Sequence, residues 1–305
     1  MKLHTLFLVV SLTILNSCKK KPNTSDGKLQ VVTTTSMITD LVTQIGGDAI
    51  QVQGIMGSGV DPHLYKASEG DVSKLVEADV IFYNGLHLEG KLVEVFEKME
   101  RRNNKTIAVG EALDKKELIG SEYFASNYDP HIWFSVQNWI KAAGFVTKKL
   151  KVLDPKNETV FETNSKIYLS KLQALEKHIL TKITTLPVEQ RILVTAHDAF
   201  SYFGKAYEFE VVGLQGLSTA TEAGVQDVQN IAQFIINKKV KAIFVESSVP
   251  KRTIEALQAA VRSKGSEVNI GGTLFSDALG TPDTDEGTYI GMFKYNINTI
   301  IEALQ

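Results

Sequence analysis

Residues 154–187 read DPKNETVFETNSKIYLSKLQALEKHILTKITTLP, the longest helical pattern in the chain. Phe161, Tyr168, Leu172, Leu175, Ile179, Ile183 and Leu186 recur largely at three- and four-residue steps, the spacing of one apolar helix face. Asp154 stands as an N-cap with Pro155 at the first helical position, and Pro187 marks the end. Roughly thirty residues at 1.5 Å each make a rod of about 45 Å. On its amino side Leu29–Thr34, Ile50–Met56, Val80–Asn84 and Thr106–Val109 read as strands. They alternate with the helical patterns Met37–Ile45, Asp71–Ala78 and Leu88–Met99. The alternation restarts beyond the rod, with strands at Ile192–Thr195, Phe209–Leu214, Ala242–Glu246 and Val268–Gly271 and helices at Val225–Ile236, Thr253–Arg262 and Tyr289–Leu304.

Such alternation predicts parallel sheets covered by helices. The expected fold is α/β with two lobes, each a mostly parallel sheet covered by helices, joined by one long rigid helix. The boundaries expected are an N-terminal lobe at 28–153, a linking helix at 154–186 and a C-terminal lobe at 187–305. A single large α/β domain with one long surface helix is the alternative. Two lobes would place a ligand cleft where the carboxyl ends of both sets of strands meet.

Composition narrows the function. The 305 residues carry 33 Lys+Arg against 35 Asp+Glu, so no global basic field exists to hold nucleic acid. A charged fraction of 22% excludes a multi-span membrane protein, and one cysteine excludes both a disulfide scaffold and Cys-pair zinc modules.

That cysteine ends the opening run MKLHTLFLVVSLTILNSC. Lys2 is a positive flank, and the apolar stretch from Leu6 to Leu15 spans roughly 15 Å as a helix, half of a bilayer core, so 1–18 reads as an export signal. Leu15-Asn16-Ser17-Cys18 resembles a bacterial lipobox, which would make Cys18 the acylated residue that anchors the protein in a bilayer; a plain secretory signal is the other reading. Residues 19–27, KKKPNTSDG, read as a polar tether with a basic run near anionic headgroups.

The chemistry is carried by a tripeptide that occurs twice. Asp61-Pro62-His63-Leu64-Tyr65 is echoed by Asp129-Pro130-His131-Ile132-Trp133, where composition alone predicts about 0.006 Asp-Pro-His tripeptides. Proline fixes its own φ and biases the aspartate toward an extended backbone, which gives each histidine a stiff mount suited to a metal ligand. Each aspartate has two open roles, as acceptor for a ring nitrogen or as a turn or capping residue. His197 stands at the end of the apolar strand pattern Ile192–Thr195, the ligand-bearing edge of a parallel sheet, and Asp277 lies in a loop after the last strand pattern. Three imidazoles and one carboxylate make a complete donor set for a borderline divalent ion. His4 leaves with the signal, while His87 and His178 read as solvated.

These motifs, with Tyr83-Asn84-Gly85-Leu86-His87-Leu88-Glu89, Thr195-Ala196-His197-Asp198-Ala199-Phe200, Gly213-Leu214-Gln215-Gly216, Phe244-Val245-Glu246-Ser247-Ser248, Phe275-Ser276-Asp277-Ala278-Leu279-Gly280 and Glu286-Gly287-Thr288-Tyr289, resemble the TroA-like family. Its members are solute-binding lipoproteins of zinc and manganese ABC importers, and the resemblance covers essentially the whole mature chain. It implies two α/β lobes bridged by a rigid helix, with the metal enclosed by His63, His131, His197 and Asp277. Some manganese-type members have glutamate where this chain has His197. Many zinc-type members have a histidine-rich loop in the first lobe, and here only His87 lies between His63 and His131. Glu246 matches a family position near the site and is not assigned as a ligand.

The expected function is an exported, lipid-anchored, monomeric receptor facing the periplasm or cell exterior. It would bind a divalent metal, zinc or manganese, and deliver it to a cognate ABC permease. By the divalent affinity order, three imidazoles favour zinc over manganese. A metal-dependent surface adhesin is the alternative. A metallohydrolase fits less well, because four protein donors leave little room for substrate and no H-E-x-x-H or G-x-S-x-G motif occurs.

Overall fold

The computed structural model describes residues 27–100, 105–122 and 124–305; the signal 1–18 with Cys18, and the tether 19–27 apart from Gly27, lie outside the described residues. The amino-terminal series forms β1 (Leu29–Thr33), α1 (Ser36–Gly46), β2 (Ile50–Gly54), α2 (Glu69–Glu77), β3 (Val80–Tyr83), α3 (Val93–Glu100) and β4 (Lys105–Ala108). Its strands make one parallel sheet in the order β2-β1-β3-β4, with Leu29 opposite Ile50, Val31 opposite Val80 and Val80 opposite Lys105. Then come α4 (Val136–Leu153) and α5 (Glu158–Ile183). The second series is β5 (Ile192–His197), α6 (Ser201–Tyr207), β6 (Glu210–Gln215), α7 (Val225–Lys238), β7 (Ala242–Glu246), α8 (Arg252–Ser263), β8 (Asn269–Leu274) and α9 (Tyr289–Leu304). Here the pairing is split into two parallel ladders, β5–β6 and β7–β8, with β5 running beside β7.

Local chemistry sets the helix ends. Thr35 caps α1 by accepting from the Ile38 N–H, and α1 stops at Gly46-Gly47, where Gly47 has φ +52°. Ser68 and Asp71 form a reciprocal capping box on α2. The long helix differs from the sequence expectation at both ends. Pro155–Asn157 is a single 3₁₀ turn, and α5 begins at Glu158 and ends at Ile183, 26 residues or about 39 Å.

Asp154 is not the N-cap of α5. Its N–H closes α4 on the Leu150 carbonyl at 2.9 Å, and its Oδ2 accepts from the Asn157 side chain at 2.7 Å. Periodicity also missed α4, an 18-residue helix capped by Ser135, whose buried stripe of Val136, Trp139, Ala142, Ala143, Val146 and Leu150 runs up to that junction. Pro155 cannot continue a helix, so the chain folds back as a hairpin. Trp139 Nε1 donates to Tyr168 Oη at 3.2 Å and Thr147 Oγ1 to Ser165 Oγ at 2.9 Å, contacts that fix α4 antiparallel to α5.

The period-two alternation of the strands explains where the core sits. Val31, Val80 and Phe82 face one large central cluster with Leu193, Ala242 and Phe244 of the second series, while Val32 and Ile81 face a smaller cluster with Leu75 and Phe96. Ile192, Val194, Ile243 and Val245 face a third cluster with Leu257 and Val261. The two halves therefore share a core, filled by α1, α4, α5 and α9, and each keeps a satellite core on its outer face. α5 lies against α1, α4 and α9.

Candidate metal centre

Four side chains distant in sequence meet where the carboxyl ends of both strand series converge. His63 lies in the loop after β2, His131 in the turn before Ile132–Phe134, His197 is the last residue of β5, and Asp277 follows β8. All four are buried, and one donor atom from each lies within 4.8 Å of every other. His63 Nε2 is 3.4 Å from His131 Nε2 and 3.7 Å from Asp277 Oδ2; Asp277 lies 3.6 Å from His131 Nε2 and 3.2 Å from His197 Nε2. A tetrahedral ion with bonds of about 2.0–2.1 Å holds its donors roughly 3.3 Å apart, close to these four distances, and the other pairs lie within 4.8 Å.

The two Asp-Pro-His mounts share a turn. Asp61 Oδ1 accepts from the His63 N–H and Asp129 Oδ1 from the His131 N–H, each at 2.8 Å. Beyond that they part. Asp129 Oδ1 also lies 2.7 Å from His131 Nδ1. A carboxylate can only accept, so the ring proton sits on Nδ1 and the Nε2 lone pair points at the other donors. Asp61 instead accepts from Thr219 Oγ1 at 2.6 Å, a hydroxyl of the loop after β6 in the other half. Of the two roles open from sequence, Asp129 fills both and Asp61 only the turn.

His197 is held by Glu246 at the end of β7, whose Oε1 accepts the His197 N–H at 2.8 Å and whose Oε2 lies 2.6 Å from Nδ1. Glu246 is therefore beside a ligand candidate and not among the four. The family resemblance had placed Glu246 near the site without making it a ligand, and no signal marked Thr219. His87 and His178 lie outside the cluster and are half-buried. Burial lowers the His178 pKa.

The electrostatics prepare the group for a cation. Burial pushes His63 down to about 3, against the opposing pull of Asp277, so its ring is neutral with a lone pair to give. Burial would raise Asp277, but His197, His131 and His63 together hold it well below the usual carboxylate range. Burial likewise works against a charged His197, yet Glu246 and Asp277 raise it well above the histidine norm. Both Asp277 oxygens and His197 Nε2 are buried without a hydrogen-bond partner. The nearest groups to Asp277 are the three imidazoles, 3.2–3.7 Å away, and a divalent ion among the four would satisfy these atoms together.

Among the described residues no helix is long and apolar enough to cross a membrane. The family model described as zinc-uptake complex component A periplasmic, ZnuA, matches residues 31–303. The manganese-binding lipoprotein MntA of Bacillus subtilis (strain 168) is 47% identical over 281 residues, 92% of this chain and 91% of that protein. The zinc-binding protein TroA of Treponema pallidum (strain Nichols) is 47% identical over 284 residues, 93% of this chain and 91% of that protein. The solved structure of the periplasmic zinc-binding protein TroA from Treponema pallidum superposes with a TM-score of 0.88, covering 91% of this chain and 99% of that one.

Proposed function

The chain belongs to the ZnuA family of periplasmic zinc-uptake components, and from that premise we propose that it is the solute receptor of an ABC importer, capturing a divalent transition metal ion as its cargo. His63, His131, His197 and Asp277 are the proposed ligands. The observation that carries the reading is their burial as one group, with one donor atom from each within 4.8 Å of every other.

In this reading Asp277 supplies charge, the three imidazoles supply neutral nitrogen donors, and Asp129 and Glu246 hold two of the rings in place. Two ligands precede α5 and two follow it, so a bound ion ties the halves together and release requires the donors to separate. The proposed organisation is a signal at 1–18, a tether at 19–27, lobes at 28–153 and 187–305, and a linking helix at 154–186. An acyl anchor on Cys18, a monomeric state, delivery to a cognate permease and the absence of catalysis are parts of the same proposal. Four protein donors leave no open position for substrate activation, which supports a carrier over a hydrolase.

The test is metal-dependent melting. An ion at 1,000 times its Kd adds about 4.1 kcal/mol, on the order of 10 °C for a chain of this size. His63→Ala and Asp277→Ala should each lose most of that shift with zinc and with manganese. A variant that keeps the full shift removes its residue from the ligand set. Relatives named for manganese and for zinc match equally well, so the donor set decides the expected preference: zinc should bind at least about tenfold tighter than manganese at about pH 7.5. Equal or tighter manganese binding would mean a more oxygen-rich shell.

A further inference from the structure

Because the first sheet is parallel, all its strands begin at one edge and end at the other. The carboxyl edge adjoins the metal centre, where Asn84, just past β3, donates to the Pro130 carbonyl beside His131. The amino edge, about 15 Å away along strands of this length, opens into a hollow of about 370 Å³. Three lysines line it: Lys28 before β1, Lys105 at the start of β4, and Lys156 in the turn before α5. Two carboxylates share the hollow, and each accepts from a neutral amide that leaves its charge in place, so three lysines against two aspartates give a net charge of +1. Asp79 accepts from the Gln30 N–H at 2.8 Å, and Asp154 accepts from Asn157 at 2.7 Å. No lysine of the three forms an ion pair among the described residues, and Lys156 Nζ reaches only the Gly27 carbonyl, at 2.9 Å.

We propose that this lysine-lined hollow is a docking surface for anionic phospholipid headgroups. The inference rests on the reading that Cys18 is the membrane anchor. Gly27, at the rim of the hollow, is nine residues from Cys18, a path that cannot exceed about 32 Å even fully extended. The sequence in between adds Lys19, Lys20 and Lys21. The amino edge of the first sheet is thus kept close to the bilayer, and the net positive charge of the hollow is opposite to the one it meets there. Docked this way, the receptor turns the carboxyl edge and the metal centre away from the lipid, a posture suited to capture, and it must leave the lipid to present the centre to a permease. Each lysine near an anionic surface is worth roughly fivefold in partitioning, so three amount to about a hundredfold.

The test uses the mature chain from Lys19 without an acyl group, sedimented with vesicles rich in phosphatidylglycerol or made of phosphatidylcholine alone. The wild type should bind the anionic vesicles, release in about 0.5 M salt and ignore the neutral ones. The combined Lys28→Gln, Lys105→Gln and Lys156→Gln variant should lose about a hundredfold in partitioning while keeping its zinc-induced melting shift, which shows that it is folded. A Lys19→Gln, Lys20→Gln and Lys21→Gln variant should retain the contribution of the hollow. The proposal is overturned if the hollow variant binds like wild type, or if wild type binds neither vesicle. The anchor reading fails separately: acyl-precursor labelling that survives Cys18→Ser sinks it without changing any vesicle result.

Discussion

Asp61-Pro62-His63 and Asp129-Pro130-His131 are identical tripeptides with the same backbone turn, yet their aspartates do different things. Asp129 holds the ring of its own histidine, with its carboxylate 2.7 Å from Nδ1. Asp61 leaves its ring alone and reaches 2.6 Å to Thr219 in the other half. Accordingly His131 is oriented from within its own segment, whereas the His63 segment is tied to the opposite wall of the cleft. A short motif can fix how the backbone mounts a side chain, while the remaining lone pairs go to whatever the fold brings near.

The largest effect should not distinguish the two mounts at all. His131→Ala should erase most of the metal-induced melting shift, about 4 kcal/mol at saturating ion, just as His63→Ala does. A large shift retained by one but not the other would show that only one tripeptide ligates.

Acid should act almost as strongly, and here His63 parts from His197. A protonated imidazole has no lone pair, so binding weakens as pH falls. His63, pushed down to about 3, takes up no proton between pH 7.5 and 5.5 and adds nothing to this loss. His197, raised by its carboxylate neighbours, gives up a proton when metal binds, costing about tenfold in affinity per pH unit. Calorimetry in two buffers of different ionisation enthalpy should detect that released proton. Metal affinity that is flat over this range would argue against ligation by His197.

The aspartates themselves should differ next. Asp129→Ala frees the His131 ring and should cost 10- to 100-fold in metal affinity, about 1.4–2.7 kcal/mol. Asp61→Ala should cost less than Asp129→Ala in the same titration, because its ring is not held by it. If the order is reversed, the cross-cleft link matters more to the ion than ring orientation does.

The smallest effect is expected from Thr219→Val, which removes the hydroxyl donor to Asp61 and should destabilise the protein by about 0.5–1.5 kcal/mol. Combined with Asp61→Ala it should add almost nothing, since Asp61→Ala already removes the Thr219 contact along with the turn bond to the His63 N–H. Full additivity in melting temperature would mean that the two groups act independently.

Which parts could be read in advance follows from the range of the interactions. Strand and helix runs were legible because burial imposes its period on contiguous residues, and the paired tripeptides because a proline-fixed turn is local. α4 was missed because its stripe contains two alanines, weak carriers of periodicity, and because Asp154-Pro155 reads equally well as the start of a helix or as the junction between two.

By itself, then, the sequence determined an α/β chain of two strand–helix series around a long helix, and the four residue types of the metal centre. Tertiary structure alone decided that the halves share one core, that Glu246 holds His197 and that Thr219 claims Asp61. Those contacts join residues 49 and 158 positions apart. Periodicity and turn chemistry reach only a few residues along the chain, so partners that distant are chosen by how the sheets and helices pack.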